Sequence, residues 1–374
     1  MKSALDYCAW WRTTEVRDRQ VVDAIVVPEH RGPSRELARA LERWPGPHYW
    51  ARGDGEGRLV LIRILKQPKA ERWWLHTMLF VVTFATVWMG GALLAGGADA
   101  AVPFSTRLST AEQVLSRWLA ELSTWGSGLD FALALMAILL AHESGHYIIA
   151  RRYGINASPP YFLPAPPWWN FIGTFGAFIR LRSPIVDRRQ LMDVGAAGPW
   201  AGFLVAVVAL LVGLGRSQIV PEQGPSSQLI VLADLRLYLG DSPIMYAARQ
   251  LIVGEGTVQL HPLAFAGWIG LLVTMLNLVP LGQLDGGHVL YALIGRWQAR
   301  IGPLVWLALI ALGFIYLQWW WWVWATLILV LGRGRLAHPE VLDRHRPLPP
   351  SRRPLGWATV LLFAATFIPV PIHY

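Results

Sequence analysis

The sequence predicts an α-helical, multi-pass integral membrane protein of about six or seven spans behind a small N-terminal α/β domain. Three observations carry that expectation. Hydrophobic residues fill 54% of the 374 positions and charged residues only 15%, against about 25% charged in soluble domains. The charge is uneven: residues 1–72 hold 24 of the 57 charged side chains, and the remaining 302 residues hold 33. Long apolar runs fill the rest of the chain, bounded by Lys and Arg. The net charge of +9 does not point to a nucleic-acid partner, because the basic residues flank apolar spans and act as topology markers. The single Cys8 excludes an internal disulfide and a cysteine-based metal site.

The head comes first. VVDAIVV (21–27) suggests a strand. PSRELARALERW (33–44) suggests a helix capped by Ser34, with Leu37, Leu41 and Trp44 on one face. HYWARGDGEGRLVLIRIL (48–65) suggests a hairpin about a glycine-rich turn. Asp54 and Glu56 in that turn read as a solvated turn rather than a cation site. Nothing in the head looks catalytic, and its partner is unknown. The first twenty residues lack a long apolar core, so the head is expected to stay on the side where it is made.

The first span is expected at 73–95, after Lys66, Lys69 and Arg72. An amphipathic piece at 109–122 is expected to lie along the membrane interface. The second span, 129–150, ends in Arg151 and Arg152. Residues 157–182 contain five prolines and two glycines, which oppose a regular helix. Irregular backbone at membrane depth needs a protein-lined or wet cavity. Within this stretch GAFIRLR (176–182) reads as a short strand with an exposed edge. A third span is expected at 191–215, with Gly198 and Gly202 as a small-residue contact, then a polar loop at 216–261 and a fourth span at 263–281. Residues 301–332 are too long for one span of about 20 residues and short for two. Positive-inside counting favours two short legs. A last span is expected at 355–371.

The second span contains LLAHESGHYIIARR (139–152). On a helix, His142 and His146 share a face and can hold one metal ion, with Glu143 beside it as a general base. Ionisable groups inside a transmembrane helix are costly, and their default reading is functional. A third ligand is needed. Asp285 in QLDGG is the best candidate, where Pro280, Gly282, Gly286 and Gly287 allow the chain to bend. Asp187 and Asp193 are rivals, but their arginine-rich surroundings suit capping or ion pairs. His142 lies about 20 Å into its span. Asp285 ends a span running the same way, so it meets His142 in depth only if its segment bends back.

HESGH (142–146) in a membrane helix, followed by NLVP (277–280) and LDGG (284–287), resembles the site-2 protease family of intramembrane zinc metalloproteases. The stretch 173–203 resembles that family too. The resemblance covers roughly 128–295. It implies one Zn2+ per chain held by His142, His146 and Asp285, with Glu143 catalytic, and Asn277 as an oxyanion donor or substrate-positioning residue. It implies transmembrane proteins or peptides as substrates, met within membrane lipid. A helical substrate must unwind before attack, and strand addition would hold it extended, with GAFIRLR (176–182) as the candidate edge against a plain structural hairpin or loop plugging the cavity. His288 is a candidate for supporting the site from behind, against a plainer polar role. The 216–261 loop is too short for the peptide-binding module some members carry. The expected organisation is head 1–72, first span and linker 73–127, catalytic membrane core 128–295 and C-terminal spans 296–374. The N-terminus is expected in the cytosol, with the active site toward that side. A zinc transporter would spread its ligands along a path, whereas here they cluster. An inactive, protease-like binding protein would lack Glu143.

Overall fold

The computed structural model describes residues 3–16, 19–46, 48–50, 57–65, 70–95, 128–166, 169–221, 227–232, 235–343 and 346–373. The expected interfacial piece at 109–122, the acids Asp54 and Glu56, and Lys66 and Lys69 lie outside them.

The head folds as expected, with one strand added. β1 (Cys8–Val16) and β2 (Arg19–Val26) pair antiparallel, α1 (Arg35–Glu42) follows, and β3 (His48–Trp50) pairs with β4 (Arg58–Ile64). The sheet order is β1-β2-β4-β3. The Ser34 hydroxyl accepts from the Leu37 N–H at 3.3 Å, starting α1. Leu37, Ala40 and Leu41 then bury against Val22, Ala24, Leu59 and Leu61. CAWWRTTEV was not foreseen as a strand, because it does not alternate: Trp10 and Trp11 are adjacent and both half exposed.

The body is helical: α2 (Trp73–Ala95), α3 (Leu129–Arg152), α4 (Arg188–Leu214), α5 (Pro243–Ile252), α6 (Pro262–Leu278), α7 (Asp285–Ile294), α8 (Gln298–Ile315), α9 (Trp319–Leu331) and α10 (Arg353–Thr366). Four described stretches are long and apolar enough to cross a bilayer: 73–94, 129–152, 188–214 and 285–315, the last interrupted by Gly295 at φ +62°. Two shorter apolar helices are α6 and α9. α3, α4 and α6 form the centre, where Phe131, Leu135 and Ile138 meet Ala206, Leu210, Phe265 and Trp268. Gly267 backs directly onto the Leu210 backbone and Gly213 onto Ala264, so no side chain fits between α4 and α6 there. The outward faces are apolar: Val81 on α2, Leu204 and Val208 on α4, Leu307 and Phe314 on α8, Val330 on α9 and Leu361 on α10 are all exposed. A belt of that extent suits lipid rather than water.

Residues 298–331 fold as two legs, as expected. They turn at 316–318, where Leu317 takes φ +52°, and Trp306 Nε1 on α8 donates to the Ala325 carbonyl on α9 at 3.0 Å. The Trp319–Trp322 run divides. Trp319 and Trp320 face outward, while Trp321 is 2% exposed and donates to the Pro369 carbonyl at 2.8 Å.

Two expectations need correction. The segment 216–261 is not a plain polar loop. It contains β7 (Gln218–Val220), β8 (Gln228–Leu232), β9 (Leu235–Leu239), α5 and β10 (Thr257–Gln259). With β11 (Ile372–His373) they form a sheet of order β11-β9-β8-β10-β7. The apolar positions of QLIVL and LRLYL pair across a hairpin, with Leu229, Ile230, Leu237 and Leu239 buried. The fourth span is also not continuous over 263–281. α6 stops at Leu278, the chain turns through 279–284, and α7 begins at Asp285.

Candidate metal centre

The irregular segment forms a hairpin: β5 (Tyr161–Pro164) pairs antiparallel with β6 (Thr174–Phe178). It lies against α2 and beside α3. Thr86 Oγ1 donates to the Gly173 carbonyl at 2.7 Å, and Phe80 packs edge-on to Phe162. Gly173 approaches the α2 backbone too closely for any Cβ and takes φ +82°.

α3 presents His142, Glu143 and His146 inward, 3%, 7% and 7% exposed. The helix-turn spacing points both imidazoles at α4, and α4 makes room with glycine. A Cβ at Gly198 would sit inside the His146 ring, and one at Gly202 would press on His142 at 3.0 Å. Gly145 closes the same crossing from the other side, against the Ala197 carbonyl. The small-residue pair on α4 therefore serves the histidines as well as helix contact.

Asp285 arrives from the break after α6. Gly286 packs on the Leu278 and Val279 backbone and Gly287 on that of Leu281 and Gly282, so the turn closes only with glycine at both places. This brings Asp285 to the depth of the histidines, and a bend back along a finished span is not needed. His142 Nε2 and His146 Nε2 stand 3.2 Å apart, and Asp285 Oδ2 is 3.3 Å from the first and 3.2 Å from the second. Ligands at about 2.0–2.1 Å in a tetrahedron lie roughly 3.3–3.4 Å from each other. The triangle has the edge length that one such ion requires. Two imidazole nitrogens facing each other would otherwise oppose lone pairs.

His146 Nδ1 lies 2.7 Å from the Val194 carbonyl. The carbonyl can only accept, so Nδ1 carries the proton and Nε2 offers its lone pair to the centre. Among described residues, His142, His146 and Asp285 are the one group of three such side chains with converging donor atoms. Glu143 lines the same pocket of about 240 Å³, with Asn277, Gln283, His288 and the β6 residues Ala177 and Phe178. Glu143 accepts a hydrogen bond from the Ile179 N–H, just past β6. Asn277 Nδ2 is 3.4 Å from His142 Nε2. A carboxylate lining the same pocket as the three converging atoms can take a proton from water, and the strand edge beside it can hold an extended chain.

The rivals fall where their surroundings suggested. Asp187 caps α4, accepting from the Gln190 N–H at 2.9 Å, and pairs with Arg346. Asp193 pairs with Arg352 at 2.8 Å. His288 borders the pocket and meets His338 Nε2 at 2.8 Å. The sequence reading missed His338 and Val194. A histidine 50 positions from its partner, or a backbone carbonyl, leaves no local pattern.

Residues 130–317 match the profile of peptidase family M50. The chain is 34% identical over 194 residues to the protein named probable zinc metalloprotease EGY2, chloroplastic, of Arabidopsis thaliana, covering 50% of this chain and 33% of that protein. It is 38% identical over 174 residues to the protein of the same name from Oryza sativa subsp. indica, covering 45% and 30%. It is 33% identical over 174 residues to probable zinc metalloprotease EGY1, chloroplastic, of Arabidopsis thaliana, covering 46% and 30%. The match thus spans about a third of the length of these relatives. No solved structure matches.

Proposed function

This chain belongs to peptidase family M50, and from that premise we propose that it is an intramembrane zinc metalloprotease that hydrolyses peptide bonds in or near transmembrane segments of membrane proteins. The observation that carries the reading is the triangle of His142, His146 and Asp285 donors, 3.2–3.3 Å on a side, next to Glu143 and inside apolar helices. Those three residues would hold one Zn2+. Zinc in such a site supplies a Lewis acid that acidifies water to a pKa of roughly 7 and polarises the scissile carbonyl.

The chain's own groups do the rest. The Glu143 carboxylate takes the proton of the attacking water and returns it to the leaving amine nitrogen. Asn277 Nδ2 lies where it can donate to the carbonyl oxygen as negative charge builds on it. β6 supplies the means of holding the substrate. Arg180 N–H bonds Ser158 Oγ, and the Arg180 carbonyl accepts from the Ser158 N–H. Strand alternation then turns the N–H and C=O of Ala177 toward the pocket, where the Ile179 N–H already meets Glu143. A substrate helix must unwind to expose its peptide bonds, and an added strand on that edge would hold it open. The chain would cross the membrane seven times, counting α6 and α7 as one broken crossing, with the centre toward the arginine-rich, cytosolic side.

Replacing Glu143 with Gln keeps the shape and removes the base. The expected result is loss of cleavage of a reconstituted transmembrane substrate by about a hundredfold or more, with zinc content unchanged. Cleavage at the wild-type rate would overturn the reading.

A further inference from the structure

A second cavity, of about 490 Å³, opens at the arginine-bearing ends of α3, α4 and α10 and shares no lining residue with the metal pocket. Three arginines line it: Arg152 at the end of α3, Arg189 at the start of α4, and Arg352 just before α10. Among the described residues its one lining acid is Asp193, 12% exposed and engaged by Arg352 at 2.8 Å and by the Tyr153 hydroxyl. One of the three positive charges is thereby balanced, and two are in surplus. Arg189 lies over the Tyr153 ring, 6.0 Å from its centroid.

The remaining wall is apolar, made by Ile149, Ala196, Leu355 and Trp200. Trp200 spends its Nε1 on Thr359 Oγ1 at 3.0 Å, so the indole offers only carbon to the cavity. A soluble anion has no use for such a wall, and a neutral lipid has no use for two surplus cations. Where membrane helices end at an interface, a charged rim over an apolar wall has the chemistry of a phospholipid with an anionic headgroup.

We propose that this cavity binds one anionic phospholipid, its phosphate between Arg152 and Arg189 and the start of an acyl chain against Trp200 and Leu355. The site lies behind the metal centre. Ala197 lines the cavity, and its carbonyl backs onto Gly145 at the crossing of α3 with α4. A bound lipid therefore braces α3, which carries both histidines, against α4.

Native mass spectrometry of the full chain in detergent tests this, with dioleoyl phosphatidylglycerol, dioleoyl phosphatidylcholine and inorganic phosphate as probes. The expected result is one saturable phosphatidylglycerol per chain that neither of the others displaces at equal concentration. Arg152→Gln with Arg189→Gln weakens it at least about tenfold. Leu355→Trp, which narrows the wall and keeps every charge, weakens it too. Arg296→Gln with Arg300→Gln removes the same charge outside the cavity and leaves binding unchanged, and so does Glu143→Gln, which separates this site from proteolysis. Equal binding of phosphatidylcholine, displacement by inorganic phosphate, full retention by the Arg152 and Arg189 double variant, or equal loss in the Arg296 and Arg300 control would each overturn the proposal.

Discussion

His146 depends on residues of a different helix for its chemistry. The Val194 carbonyl fixes which nitrogen carries the proton, and Gly198 leaves the room in which the ring stands. Gly198→Val puts carbon where the imidazole stands, so the ring must leave the triangle. The expected outcome is zinc content well below one per chain by elemental analysis, and loss of cleavage with it. The histidine spacing and Glu143 were legible in the sequence because i and i+4 on a helix meet without knowing the fold. Asp285 was legible as a polar residue in an apolar setting. The parts played by Val194 and His338 were not, since each rests on a contact that only the fold creates.

At the scale of elements, the break between α6 and α7 and the β5–β6 hairpin build the site together. The break after α6 delivers Asp285 sideways to the two histidines. The hairpin sets an open strand edge along the same pocket. Ala177→Pro removes an edge N–H and leaves the three donors alone. Cleavage of a helical transmembrane substrate should fall about tenfold or more, with zinc content unchanged; an unaltered rate would show that β6 holds no substrate. The proline-rich stretch announced irregular backbone, and GAFIRLR announced a strand, though β6 runs Thr174–Phe178 and takes in only the first three of those seven residues. The five-stranded sheet was missed for a physical reason. Its strands are two to five residues long, and β11 joins it from 133 to 135 positions beyond its partners in β9. Short strands that bury only on assembly carry little periodicity of their own.

The whole molecule is tied together on the arginine-bearing side. Val21, Val60 and Ile62 of the head pack on Val186 just before α4, with Tyr49 and Leu342 at the margin. Arg19 reaches the Gly154 carbonyl at 2.8 Å, and Arg182 pairs with Glu71. The segment after α9 is anchored by His338, whose backbone N–H bonds Gln298 Oε1 at 2.8 Å and whose ring stacks on Tyr291. Burial, with the neighbouring His288, pushes the His338 imidazole down to about 3. Its ordinary value is about 6.5, so between these limits the unfolded chain binds the extra proton and the folded chain does not. Stability from this group is full above pH 6.5 and is lost as pH falls toward 3. The thermal midpoint of the wild type in detergent should drop on acidification from pH 7 to pH 4 more steeply than that of His338→Gln; parallel slopes would show that His338 is not the group responsible.

The central claim is that His142, His146 and Asp285 together hold one zinc ion within the helices. X-ray absorption at the zinc edge, on the wild type and on Asp285→Ala, tests it most directly. The account predicts one zinc per chain, with two imidazole nitrogens and a carboxylate oxygen at about 2.0–2.1 Å, and loss of the metal or of the carboxylate shell in the variant. An Asp285→Ala protein with full zinc content and an unchanged coordination shell would contradict it.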